Sequence, residues 1–211
     1  MFIFESIKMI MMNNDEQLDE VLLDDAHGLS KNERIGFWMR FGAYMIDFLC
    51  TMIFGTIIGL AIGDQLAPVL FGKQMAEIDQ ISGQLGGQFS VFFEKIIQIS
   101  SGTTITVLIW FVMEAAFGQS PGKMILKIRN TNVDGTRALP KTLWLRSLLK
   151  YGATILSILG GVIGIQAIGY LGSLWSLVIF VGFFFAFGDN RQTIHDMIAK
   201  TVVSKVPKKI N

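Results

Sequence analysis

The sequence predicts an all-α integral membrane protein, a helical bundle with four transmembrane helices, the last two a glycine-rich hairpin, flanked by interfacial amphipathic segments. Three observations carry this. Of 211 residues, 51% are hydrophobic and 17% charged, with mean hydropathy +0.50, whereas a soluble chain holds about 25% charged residues. The apolar residues gather into three long runs, each enough to cross a hydrocarbon core of about 30 Å. The basic residues gather into two segments that an even number of crossings would place on one side. A net charge of +1 excludes a generally basic nucleic-acid binder. One cysteine and two histidines exclude a disulfide framework and a cysteine-based zinc cluster. Neither a metal nor a cofactor is expected.

The chain opens on Met1 to Met12, apolar but too short to span, with Glu5 where a signal peptide carries a base. A signal peptide is not expected here, and Met1, Met11 and Met12 are all candidate starts. Asp15 to Asp25 then holds six acids and no base. Residues 1–33 are expected to form an acidic, mobile tail, with docking onto the basic middle loop as the alternative.

The first span is expected at Phe41 to Ile62, 22 residues whose only charge is Asp47. Helical spacing puts Arg40, Tyr44, Asp47 and Thr51 on one stripe. Such a face must look at protein or water, because charge in hydrocarbon is expensive. Gly55, Gly59 and Gly63 form a small-residue ladder on the outer half, which lets helix backbones touch. It serves packing within the chain or, alternatively, a homodimer seam. The second span is expected at Ile96 to Phe117, with Glu114 one turn from its end. Arg40, Asp47 and Glu114 would then form one cluster, either a structural ion pair or a site that shares a proton or holds a cation.

Gly118-Gln119-Ser120-Pro121-Gly122-Lys123 follows. It lacks the spacing and the Ser or Thr of a phosphate loop, and reads as a helix stop with Lys123 at the headgroups. From Met124 to Leu139, Ile125, Lys127 and Arg129 alternate with Leu126 and Ile128 before the turn pair Asp134-Gly135. This predicts a short hairpin or ribbon on the membrane surface. Leu143, Trp144, Leu145, Leu148 and Leu149, among Lys141, Arg146 and Lys150, predict an interfacial helix. Lys123, Lys127, Arg129, Arg146 and Lys150 are the expected contacts for anionic lipid headgroups.

The third run, Gly152 to Gly188, is 37 residues without a charged residue or histidine. One helix of that length would be about 55 Å long, so the run must turn, and Gly160, Gly161, Gly164, Gly169 and Gly172 mark where. Gly160 and Gly164 also repeat the four-residue spacing that suits helix packing. Gly118 to Lys150 carries seven Lys or Arg against one acid, and the chain from Asp189 carries five. Both are expected on the cytoplasmic side, which gives four spans and two cytoplasmic termini. At that end Asp196 is placed to pair with Arg40 or Arg146. Residues 204–211 are expected as a basic tail.

Three separated blocks carry a family resemblance. They are Arg40-Phe41-Gly42-Ala43-Tyr44-Met45-Ile46-Asp47, then Gly118 to Lys123 with Asp134-Gly135, then Arg191-Gln192-Thr193-Ile194-His195-Asp196 through Val203. In order and spacing they resemble the RDD family of bacterial membrane proteins, named for an arginine and two aspartates, over residues 34–203. The resemblance implies Arg40, Asp47 and Asp196 as those three residues, and a multi-pass protein of the bacterial inner membrane. Lys200 stands where the family usually has glycine, and Asp64 to Lys95 is longer than the usual connection, which suggests an extracytoplasmic feature of this chain. Transport is the role generally presumed for the family, with cation/proton exchange suggested for some members.

The leading functional expectation is therefore proton-coupled exchange of a monovalent cation. Asp47 would carry the proton or cation, Glu114 would partner it, and Arg40 with Asp196 would gate the cytoplasmic end. Four helices are few for alternating access, so a homodimer is the expected assembly. The rival expectation is a non-transporting membrane adaptor or regulator. An enzyme is not expected, since no nucleophile–base arrangement or metal-ligand spacing occurs.

Overall fold

The computed structural model describes residues 33–85 and 87–206. The acidic segment expected before Glu33 and the residues after Val206 lie outside this range. Six helices and one two-stranded ribbon follow in order among the described residues. They are α1 (Phe37–Leu85), α2 (Gly87–Phe117), α3 (Pro121–Ile125), β1 (Ile128–Asn132), α4 (Pro140–Ile163), α5 (Gln166–Phe183), α6 (Ile194–Ile198) and β2 (Thr201–Lys205). A 3-10 turn, Phe184–Phe187, extends α5. The protein is thus mostly helical, and three helical stretches are long and apolar enough to cross a membrane: Phe37–Ile81, Phe89–Phe117 and Gln166–Phe187.

The long connection expected from Asp64 to Lys95 is itself helical. α1 runs 49 residues and α2 begins almost at once, so the two form one long antiparallel hairpin. Polar residues that looked like span ends are satisfied within and between the helices. Gln98 Nε2 donates to Asp64, and Lys95 Nζ donates to Gln98 Oε1 at 2.8 Å. Along α2, Ser101, Thr103, Thr104 and Thr106 each donate to the carbonyl four residues back, at 2.8–2.9 Å. Those back-bonds keep hydroxyls paired where no water is at hand. α1 breaks once, at Phe71 (φ −134°, ψ 23°), just past Pro68. A proline inside a helix removes one backbone bond and crowds the preceding turn.

Glycines set the approach of the two long helices. A methyl built on Gly59 would lie 2.7 Å from Ile99 Cα, and one on Gly55 2.8 Å from Thr103 Cα. One on Gly102 would overlap the backbone of Gly55 and Gly59. The Gly55–Gly63 ladder is therefore filled by α2 of the same chain, and a dimer would need another face.

α4 and α5 pack antiparallel across a tight turn at Gly164 (φ +80°), whose N–H donates to Gly160 O at 2.9 Å. The left-handed conformation there favours glycine. On either side of the kink, α1 leans over this turn. Lys73 Nζ donates to Gly164 O, and a methyl on Gly161 would sit 2.8 Å from Leu70 O. The expected interfacial helix is not separate, since residues 143–150 are the first turns of α4 itself.

At the opposite end lies the ribbon. β1 pairs antiparallel with β2, Asn130 opposite Val203, so the partner of the first strand comes from the far end of the chain. The hairpin expected across Asp134-Gly135 reduces to one isolated bridge, Thr131 to Arg137. Ser204 and Lys205, expected in a tail, belong to β2. The reason is burial. Ile128, Val202 and Val203 are fully buried, and Ile128 and Val203 share one cluster with Ile35 and Ala43. Only the distant strand supplies that apolar face.

Candidate functional site

Where the long helices end on the ribbon side, charged side chains from α1, α2, α3, α4 and α6 turn inward. Arg40, at the start of α1, donates through Nε to Ile35 O at 2.9 Å, through Nη2 to Arg191 O at 2.7 Å, and through Nη1 to Asp196. Asp196 also accepts Arg146 Nε at 2.7 Å. Arg146 reaches on to Glu114, which further accepts Lys123 Nζ, Lys150 Nζ at 2.6 Å, Tyr151 Oη at 3.1 Å and Asn130 Nδ2 at 3.1 Å. The result is one continuous chain, Arg40–Asp196–Arg146–Glu114–Lys123/Lys150. Glu114, Asp196 and Arg146 are at most 2% exposed. Such a cluster must be paired at every member, because a single uncompensated buried charge costs several kcal/mol.

Local sequence places each member. Gly118 (φ +72°) ends α2 one turn past Glu114, its N–H donating to Glu114 O at 3.0 Å. Pro121 starts α3, and that single turn points Lys123 back at Glu114. Thr193 and Asp196 form a capping box on α6, so Asp196 is fixed by its own backbone before it meets the arginines. Thr193-Ile194-His195-Asp196 fits the [ST]-x-x-[DE] pattern, the sequence signal by which this cap was findable.

The electrostatics follow from burial and sign. Four positive groups face two carboxylates here, a net excess of two positive charges if all are ionised. Burial opposes ionisation of Asp196, but the Arg146 and Arg40 guanidiniums outweigh it and hold its carboxyl well below the usual range. Burial, helped by the Arg146 charge, pushes the Lys123 ammonium down to about 7 despite the pull of Glu114. Burial likewise pushes His195 down to about 3, so its ring is neutral at ordinary pH. Its Nε2 lies 3.0 Å from Thr193 Oγ1.

Asp47 stands apart. It is half-buried and turned toward protein, not hydrocarbon. Its partners are Ser120 Oγ at 2.6 Å and Gly122 N–H at 2.7 Å, so it caps α3 from a neighbouring helix. Among the described residues it forms no salt bridge. A side chain on Gly122 would collide with the Ala43 carbonyl, which explains the glycine. Thr51 donates to Asp47 O at 2.7 Å and accepts Trp110 Nε1 at 2.8 Å.

The single cluster expected from Arg40, Asp47 and Glu114 is therefore divided: Arg40 and Glu114 join through Asp196 and Arg146, and Asp47 holds the α2–α3 turn. Asp196 pairs with Arg40 and Arg146 at once, so the two are not alternatives. Tyr44 leaves the stripe; it is 55% exposed and lies tilted against Phe183, 6.4 Å between ring centres. Lys123, Arg146 and Lys150, expected at lipid headgroups, turn inward because Glu114 would otherwise be buried unpaired. Lys127 remains exposed and Arg129 half-buried. Asn130, Tyr151 and Ser120 escape sequence reasoning, since uncharged residues at a charged site carry no periodicity of their own.

A bundle of apolar helices closed at one end by a buried ion-pair chain and a short ribbon is a multi-pass membrane protein. The model of the RDD family matches residues 34–200, and the chain belongs to that family. No match was found among curated proteins or among solved structures.

Proposed function

We propose that the protein is a transporter of the bacterial inner membrane that exchanges a monovalent cation for protons. α4 would complete four crossings, with both termini cytoplasmic. The observation that supports this best is Asp47, a carboxylate within the first apolar helix whose hydrogen bonds, among the described residues, come from the uncharged donors Ser120 and Gly122. A carboxylate in that position takes up a proton or a cation without first breaking an ion pair. The excess of positive charge around Glu114 repels cations, so Glu114 belongs to the gate with Arg40 and Asp196, and Asp47 carries the ion alone.

The test is flux. Purified protein in liposomes is expected to move protons when Na⁺, K⁺ or Li⁺ gradients are imposed, and Asp47→Asn is expected to abolish this with an unchanged melting temperature. Wild-type protein without flux, or an Asp47→Asn variant that still transports, overturns the proposal. A variant that no longer folds assigns Asp47 to capping α3 only.

The saturation of Glu114 and Asp196 favours a second reading, a non-transporting adaptor whose ion pairs only hold the bundle. A partner that co-purifies stably with flux-silent wild-type protein would support it.

A further inference from the structure

A second site lies outside the charge cluster, where α1 enters and the α5 extension leaves the apolar layer. Here a cavity of about 390 Å³ is lined by Arg34, Arg191 and Lys205 on one side and by Phe37, Trp38 and Phe187 on the other. It is a shallow, open depression, suited to a headgroup lying against the surface and not to an enclosed ligand. Among the described residues three cations line it and no carboxylate does.

The cations are held in place by backbone contacts. Arg34 forms an antiparallel bridge with Ser204 at the edge of the ribbon. Its Nε is buried without a hydrogen-bond partner, and its Nη1 reaches the Asn190 carbonyl at 3.4 Å. Arg191 donates to Arg34 O at 2.9 Å, and its own carbonyl is fixed by Arg40. The apolar wall is equally ordered. Phe37 stacks on Phe187 with 3.8 Å between ring centres, and Trp38, 74% exposed, meets Phe187 edge-on at 6.2 Å. An exposed tryptophan at the end of a membrane-crossing helix belongs at headgroup depth.

We propose that this cavity binds the phosphate headgroup of an anionic phospholipid, with Arg34, Arg191 and Lys205 on the phosphate and Trp38 and Phe187 against the upper acyl chains. Three of the five cations expected to meet lipid, Lys123, Arg146 and Lys150, are spent on Glu114, and this cavity adds others in their place. The lipid is preferred over a free anion because the aromatic wall continues through Phe37 into the exposed rings of Phe41 and Phe184, an apolar surface that acyl chains would cover. The proposal does not depend on whether the protein transports.

Native mass spectrometry of the full-length protein in neutral detergent, titrated with phosphatidylglycerol or phosphatidylcholine, tests it. Phosphatidylglycerol is expected to bind on the order of tenfold tighter. Arg34→Gln/Arg191→Gln/Lys205→Gln together are expected to remove that preference. Lys205→Gln alone, at an exposed strand end, is expected to weaken it severalfold, whereas Lys141→Gln, exposed elsewhere, leaves it intact; this pair decides the matter if the triple variant fails to fold. Equal affinity for the two lipids, or a preference that survives Lys205→Gln and the triple substitution, overturns the proposal. Competition by millimolar inorganic phosphate equal to that by the lipid overturns it in favour of a free-anion site. Equal binding of the two lipids by wild-type protein, with a phosphatidylglycerol preference arising only after Asp15, Asp19 and Asp24 are changed to Asn, would assign the cavity to the chain's own acidic segment and overturn it likewise.

Discussion

Below pH 7, where Lys123 is ionised, replacing Glu114 with Gln removes one of two negative charges from a cluster holding four positive ones, which raises its net charge from +2 to +3. The carboxylate accepts from Lys123, Arg146, Lys150, Tyr151 and Asn130 at full burial. Gln keeps one acceptor oxygen and turns an amide donor toward cations. Breaking one side of a buried pair costs about 3–5 kcal/mol, and with three cations left facing one another the upper end is expected. At about 2–4 °C per kcal/mol for a chain of this size, melting should fall by roughly 10–20 °C. Lys123→Met removes the surplus charge instead and leaves Asn130 Oδ1 without its donor, at about 1–3 kcal/mol. In the double variant the net charge returns to +2, so its loss should be smaller than the sum of the singles by at least about 1 kcal/mol. The assay is thermal unfolding of the detergent-solubilised protein at fixed lipid content and scan rate. A Glu114→Gln variant melting within about 2 °C of wild type, or strict additivity in the cycle, would refute the reasoning.

Two further outcomes are expected. Lys123, pushed down to about 7 from its ordinary 10.5, releases its proton in the folded state well before the unfolded state does. The unfolded chain therefore binds more protons between those values, and stability should rise as pH climbs through 7 toward 10; melting curves of Lys123→Met should lack that rise. Arg40→Lys, which keeps the charge but loses the fork that reaches Ile35 O, Asp196 and Arg191 O together, should cost about 2–3 kcal/mol by the same melting assay.

Much of this molecule was legible in its residues, for physical reasons that differ by element. Long apolar runs can only be helices where water is absent, so the apolar character of α1, α2 and α5 was readable. Asp47 had to face protein because the alternative is charge in lipid. Gly164 was among the glycines marked for a turn that length alone demanded. The ribbon was only half readable. Period-two alternation announced β1, but nothing local to Met124–Leu139 says that its partner lies some seventy residues on, in Thr201–Lys205.

What the sequence by itself determined was the solvent: which stretches sit in hydrocarbon, and that Arg40, Asp47, Glu114 and Asp196 could not be left facing it. Only the tertiary structure decided which charge meets which. That choice depends on helix rotation, on the close approach of Gly59 and Gly102, and on the turn Gly118–Lys123, which swings a basic side chain back under the bundle. A buried carboxylate and its counter-charge must meet within about 4 Å to offset the cost of leaving water, a precision far finer than composition and periodicity can specify. Lys123, Arg146 and Lys150 therefore read as lipid anchors along the chain and act as the counter-charges of Glu114 in space.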